Sequence, residues 1–321
     1  MHLELGWRAE SKGIEDDVEL FAHRLPQSAS VVTGMKGRQV FRFSLMLAAA
    51  AAILVLAACG DEGEGEAADT ASQEISHVHG LGVNPADGAL FIATHSGLFR
   101  SQEGTTDAER VDQQYQDTMG FTVVGPDHFL GSGHPAPGED RPPNLGLIKS
   151  TDSGQSWREV SLAGEADFHV LRYAHERVYA YNGLSGVVML SDNGGHGWIE
   201  RRPPGSVIDL AVDPDDPQRI IVSTERGLAI SSNDGRTWRP LDGAIGLLAW
   251  PREDTLYLID AQGRVQVTSG PEGGWKEVGS IGGQPAALTA ADAQELYAAL
   301  ADATVKASSD GGVSWEVRTS P

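Results

Sequence analysis

One octapeptide constrains the fold of this 321-residue chain more than any other feature. Residues 150–157 read STDSGQSW and residues 308–315 read SSDGGVSW, both S-x-D-x-G-x-x-W. Residues 191–198 (SDNGGHGW) and 231–238 (SSNDGRTW) match with Asn in place of Asp. A worn copy, TSGPEGGW, runs from Thr268 to Trp275, and SQEGTTDAERV, from Ser101, reads as another that has lost its Trp. The starts at 101, 150, 191, 231, 268 and 308 are separated by 49, 41, 40, 37 and 40 residues. Recurrence at such a period means one supersecondary unit repeated.

The unit is written in strands. In the fourth, 207–212 (VIDLAV) precede a DPDDP turn, then 219–223 (RIIVS), 227–231 (GLAIS), the octapeptide and 238–241 (WRPL). The first has the same skeleton: 77–83 (HVHGLGV), NPADG, 89–93 (ALFIA) and 97–100 (GLFR). Four short β-rich runs with turn signals between them suit one blade of a radial sheet array. Six units fill residues 76–320, and no seventh can be found.

The octapeptide resembles the Asp-box, or BNR repeat, of sialidase-like and sortilin-like β-propellers. The matching residues are Ser150, Asp152, Gly154 and Trp157; Ser191, Asn193, Gly195 and Trp198; Ser231, Asn233, Gly235 and Trp238; and Ser308, Asp310, Gly312 and Trp315. The physics of the box is local. Ser with Asp or Asn bonds the backbone of a hairpin turn, Gly allows positive φ, and Trp covers the hairpin. These residues are therefore structural. The fold expected is all-β: a six-bladed β-propeller of four-stranded antiparallel blades with Asp-box hairpins, occupying 76–321. It closes by packing blade six on blade one, with 71–76 as a further strand at that joint.

The N-terminus reads as an address. Residues 45–58 (LMLAAAAAILVLAA) are uncharged, too short to span a bilayer comfortably, and follow Lys36, Arg38 and Arg42. The run ends in LAACG, which resembles a bacterial lipobox, and Cys59 stands where lipid would be attached. The competing reading is a buried Cys closing an apolar helix. Met35 opens this leader. Residues 1–34 carry Glu10, Glu15, Asp16, Asp17 and Glu19 ahead of the basic region and read as upstream of the true start. Residues 35–58 are then a lipoprotein signal peptide, and 59–75, with five acids in the ten residues after Cys59, a disordered acidic tether. The expected location is the bacterial cell envelope, lipid-anchored, with the domain outside the cytoplasm.

Composition excludes several classes. A net charge of −21 argues against a nucleic-acid partner. A single Cys rules out intrachain disulfides and multi-Cys metal sites. No P-loop, G-x-S-x-G elbow or complete calcium loop appears.

In a four-stranded blade the inner strand lines the channel, and the loops between blades and between strands two and three share one face. His77 and His79 are placed on the first inner strand, pointing to one side, with Asp117 and Met119 at the matching positions of unit two. His95 lies between strands two and three, where other units carry Asn182, Glu225, Asp260 and Asp302. His134 sits in a Pro-rich excursion, and His169 begins the third inner strand. Imidazole with carboxylate suits zinc or copper, and the Met119 thioether leans towards copper. The candidate metal site is His77, His79, His95 and His134 with Met119. The alternative is that these are hydrogen-bonded channel or loop residues.

The resemblance also implies a glycoside hydrolase, since sialidase-like propellers use an arginine cluster, a Tyr–Glu nucleophile pair and an Asp acid. The family's Phe-Arg-Ile-Pro-type segment is missing, the nearest sequence being 23–26 (HRLP), ahead of the leader. Arg158, Arg201, Arg202 and Arg239 fall beside boxes as exposed strand residues. Glu225 and Asp260 remain a candidate acid pair. Three readings result: a surface module binding a metal or small ligand through its His-bearing face, a glycoside hydrolase-like enzyme, and an assembly factor for a membrane complex. The partners expected are the membrane, through the lipid, and a metal, glycan or membrane protein.

Overall fold

The computed structural model describes residues 75–112 and 115–321. The leader, Cys59 and the tether up to residue 74 lie outside the described residues. Among the described residues there are no helices, and 24 strands form six four-stranded antiparallel sheets. Blade one is β1 Val78–Val83, β2 Leu90–Thr94, β3 Gly97–Ser101 and β4 Glu109–Arg110. Blade two is β5 Asp117–Gly125, β6 His128–His134, β7 Leu147–Ser150 and β8 Arg158–Ser161. Blade three is β9 Phe168–Ala174, β10 Arg177–Asn182, β11 Val187–Ser191 and β12 Ile199–Arg201. Blade four is β13 Val207–Val212, β14 Ile220–Thr224, β15 Gly227–Ser231 and β16 Arg239–Leu241. Blade five is β17 Gly246–Arg252, β18 Thr255–Asp260, β19 Arg264–Thr268 and β20 Lys276–Ser280. Blade six is β21 Pro285–Ala290, β22 Leu296–Leu300, β23 Val305–Ser308 and β24 Glu316–Thr319.

Each blade uses four consecutive strands, so no strand is borrowed across the joint between first and last. The ring closes where β1 meets β21. There Ile75, Leu81, Ile92 and Phe99 pack on Tyr297 and Val305. Ile75, placed at the end of the tether by sequence, is buried in this joint, but neither it nor Ser76 belongs to a strand. Arg318 of β24 donates to the Ser101 hydroxyl of β3 at 2.8 Å, tying blade six to blade one. The core is partitioned likewise, with one apolar cluster at each of the six blade interfaces. Strand two is buried end to end in blades one, four and six, because it is covered on both faces.

The octapeptide turns join strands three and four. Ser150 Oγ accepts from Gly154 N at 2.8 Å, and Asp152 Oδ1 accepts from Ser156 N at 3.0 Å. The copies at Ser191, Ser231 and Ser308 repeat the Ser–Gly bond at 2.8, 2.8 and 2.9 Å. The glycine does two things. Its φ is positive, +91° at Gly195, and a Cβ there would lie 2.0 Å from Leu147 Cδ2 of the preceding blade. The degenerate units replace this geometry: Ser101 Oγ bonds Asp107 O, and Thr268 Oγ1 bonds Gly270 O.

Candidate functional site

Inner strands β1, β5, β9, β13, β17 and β21 surround a central cavity of about 810 Å³. All six run in the same sense, so their first residues share one mouth with the turns between strands two and three. The strand pairings carry a recurrent irregularity there. Register slips between Val78 and Gly80, Thr118 and Gly120, Phe168 and Val170, Val207 and Asp209, and Pro285 and Ala287. The skipped residues are His79, Met119, His169, Ile208 and Ala286. Blade five reaches the same position with Leu247 and without a slip. A bulge frees its extra residue from the ladder and re-aims its side chain. All six of these side chains line the cavity.

Three polar groups converge at this mouth. His79, His95 and Asp117 each offer one ligating atom, all within 4.8 Å of one another. His95 Nδ1 lies 2.8 Å from Asp117 Oδ2, and the His79 and His95 rings meet edge to face at 4.4 Å. His79 Nε2 and Asp117 Oδ1 face each other at 3.8 Å, and both are buried without a hydrogen-bond partner among the protein's atoms. Burial, aided by His95, lowers the His79 pKa to about 4, against the pull of Asp117. His79 is therefore neutral at neutral pH, and the 3.8 Å approach is not an ion pair. A neutral imidazole is the form that ligates metals. Two ligand atoms about 2.1 Å from a tetrahedrally bound ion stand about 3.4 Å apart. The gap needs to contract by only about 0.4 Å to hold one.

His77 is not on the inner strand: it precedes β1 with a left-handed φ of +38°, and its ring packs against His95 at 5.3 Å. His134, at the end of β6, donates from Nδ1 to Pro143 O at 2.8 Å and so anchors the Pro-rich excursion. Met119 lines the cavity on the neighbouring inner strand β5. Asp117 was visible in sequence only as the counterpart of His77, because its meeting with His95 is made between two blades.

A second dyad stands at the start of β9, between Asp167 just before the strand and His169 on it. His169 Nε2 donates to Asp167 Oδ2 at 2.8 Å. That bond raises the His169 pKa against the effect of burial. Burial, the largest effect, pushes the Asp167 carboxyl up, but the bond from His169 and the positive charge of the neighbouring imidazoles together hold it below its ordinary value. Deeper in the channel Arg172 Nη2 donates to the buried Asp209 at 2.5 Å, and Asp209 also accepts from Leu210 N and Leu248 N.

The candidate glycosidase carboxylates are not free. Asp260 is buried and accepts from Arg264 Nε and the backbone of its own turn. Glu225 pairs with Arg226. Of the cavity-lining residues, the arginine is Arg172 alone, already engaged by Asp209, so no three-arginine cluster forms around the described channel.

No protein-family model and no curated protein sequence matches the chain. Its shape is similar to a chain of the nidogen/laminin complex, with 13% identity, 73% of this chain and 93% of that one covered, and a TM-score of 0.59. It is also similar to the GH74 enzyme of Niastella koreensis, with 15% identity, coverage of 76% and 45%, and a TM-score of 0.56. The GH74 xyloglucanase of Xanthomonas campestris gives 18% identity, coverage of 76% and 45%, and a TM-score of 0.52. The chain spans less than half the length of these two enzymes. Likeness at these identities establishes the fold, and by fold the chain is a six-bladed β-propeller.

Proposed function

We propose that the chain is an exported, lipid-anchored propeller that holds a divalent transition-metal ion, zinc or copper, on His79, His95 and Asp117 at the channel mouth. The observation that carries the metal reading is the pair of buried, unpartnered atoms, His79 Nε2 and Asp117 Oδ1, facing each other across 3.8 Å. A buried polar atom left without a partner costs stability, and an ion between the two satisfies both. Export and anchoring rest on the leader at 35–58, with its apolar run at 45–58, and on Cys59. The hydrogen-bonded turns at Ser150, Ser191, Ser231 and Ser308 support reading the repeats as Asp-boxes of the BNR class. Asp260 is bound by Arg264, and neither Asp260 nor Glu225 is among the residues that line the channel, which weighs against glycoside hydrolysis there.

The test is metal content, measured by mass spectrometry after offering the purified protein zinc and copper and desalting it. One ion per chain, lost in His79→Ala and Asp117→Ala and kept in His134→Ala, is the expected result. A folded wild-type protein that retains no ion overturns the reading.

A second reading is a protein-docking face, as in an assembly factor. The observation in its favour is exposed apolar surface on the connections around the mouth: Tyr115 at 47%, Leu184 at 58% and Ile245 at 39%. Pull-down of an envelope protein that is lost in Leu184→Asp but kept in His79→Ala would separate it from the metal role.

A further inference from the structure

The bulge register divides the mouth into two halves. Blades one to three place His79, Met119 and His169 there, all nitrogen or sulfur donors. Blades four to six place Ile208, Leu247 and Ala286 at the same level, all aliphatic. The six face one another across a single cavity of about 810 Å³, within the range of small-ligand sites. Ile208 is the informative member. A bulge that re-aims a side chain into water would be expected to carry a polar residue, yet Ile208 is 44% exposed.

The polar half is open to a further ligand. Three protein ligands leave a transition-metal ion a free coordination position. Beside it His169 is fixed by its bond to Asp167 at 2.8 Å, which commits Nε2 and leaves Nδ1 for another partner. The open position suits an oxyanion, and so does the Nδ1 N–H that His169 offers when its ring carries the second proton that Asp167 stabilises. The aliphatic half suits neither a sugar nor a polar peptide, whose hydroxyls and amides would find no partners there. The chain's net charge of −21 favours a singly charged head over a dianion such as phosphate.

We propose that the channel mouth binds a monocarboxylate with an apolar body, its carboxylate on the ion held by His79, His95 and Asp117 and beside His169, its body against Ile208, Leu247 and Ala286. This rests on the metal reading above.

The experiment is isothermal titration calorimetry of the full chain, metal-free and loaded with one equivalent of zinc, with octanoate, acetate and octanol. Octanoate is expected to bind the zinc-loaded protein at least tenfold more tightly than acetate or octanol, and not to bind the metal-free protein measurably. Ile208→Ala is expected to weaken octanoate several-fold and Ile208→Asp at least tenfold, while both keep their zinc. Zinc-loaded protein that takes no octanoate, or takes octanol equally well, overturns this proposal and leaves the metal reading standing. Octanoate binding that is the same without zinc overturns the coordination of the head. Failure to load zinc removes the metal reading itself, and this proposal with it.

Discussion

Replacing Asp209 with Ala should destabilise the ring through three blades together. The carboxylate is 3% exposed and belongs to three blades at once. Its Oδ1 accepts from Arg172 of blade three at 2.5 Å and from its neighbour Leu210 N at 2.7 Å, and its Oδ2 accepts from Leu248 N of blade five at 2.8 Å. Burial pushes the Asp209 carboxyl up and the Arg172 guanidinium opposes that rise, so the pair depends on its geometry. Removing one partner of a buried ion pair costs about 3–5 kcal/mol. Each backbone N–H left bare costs about 1–3 kcal/mol more when water cannot reach it. Here the channel admits water to the vacated space, and Arg172 is already 31% exposed, so the total is placed near the lower bound, about 3 kcal/mol. For a domain of this size that corresponds to about 6–12 °C in Tm. Asp209→Asn keeps an acceptor for Leu248 N but drops the charge, and should fall about midway. The assay is urea unfolding followed by tryptophan fluorescence, with the midpoint read at constant slope. Arg172→Met combined with Asp209→Ala should cost less than the sum of the two by at least about 1 kcal/mol. An Asp209→Ala variant within about 1 kcal/mol of wild type, or strict additivity with Arg172→Met, would refute the reasoning.

Two further predictions concern the repeat turns. Gly195→Ala combines positive-φ strain with a 2.0 Å clash on Leu147, whereas Gly194→Ala has positive φ and no atom within 4 Å. Thermal melts should show Gly194→Ala losing about 1–2 kcal/mol and Gly195→Ala about 1–3 kcal/mol more; equal losses would remove the packing role assigned to the box glycine. The two Asp-bearing turns should also titrate. Hydrogen bonds from Ser314 hold Asp310 down at about 2, and those from Ser156 lower Asp152. A depressed carboxyl stabilises the fold above its unfolded pKa of about 3.9 and loses that contribution as pH falls through the folded value. Acid unfolding of the double variant Asp152→Asn, Asp310→Asn should therefore be shallower than wild type between about pH 4 and pH 2, the turns with Asn193 and Asn233 being the internal precedent. An unchanged profile counts against the account.

The architecture was legible in the order of residues along the chain. Four octapeptides at a near-constant period, each flanked by the same short apolar runs, leave little choice but a ring of identical sheets. Each hairpin is a local object, and its Ser, Gly and Trp make their contacts within a few residues or with the adjacent blade. The histidines' face was legible on the same basis, because blade topology decides which loops are neighbours. Which side chains meet was decided only by the tertiary structure. Asp117 reaches His95 because β5 packs beside β1, a distance of 22 residues along the chain. His79 turns into the channel because β1 slips register at that residue, and His77, with a left-handed φ of +38°, stands before the strand begins. His134 and Asp260 carry the residue types a site requires, yet both are consumed by the turns that hold them. Period two cannot foresee a bulge, since a bulge arises from how the blades pack and not from the alternation of residues along one strand.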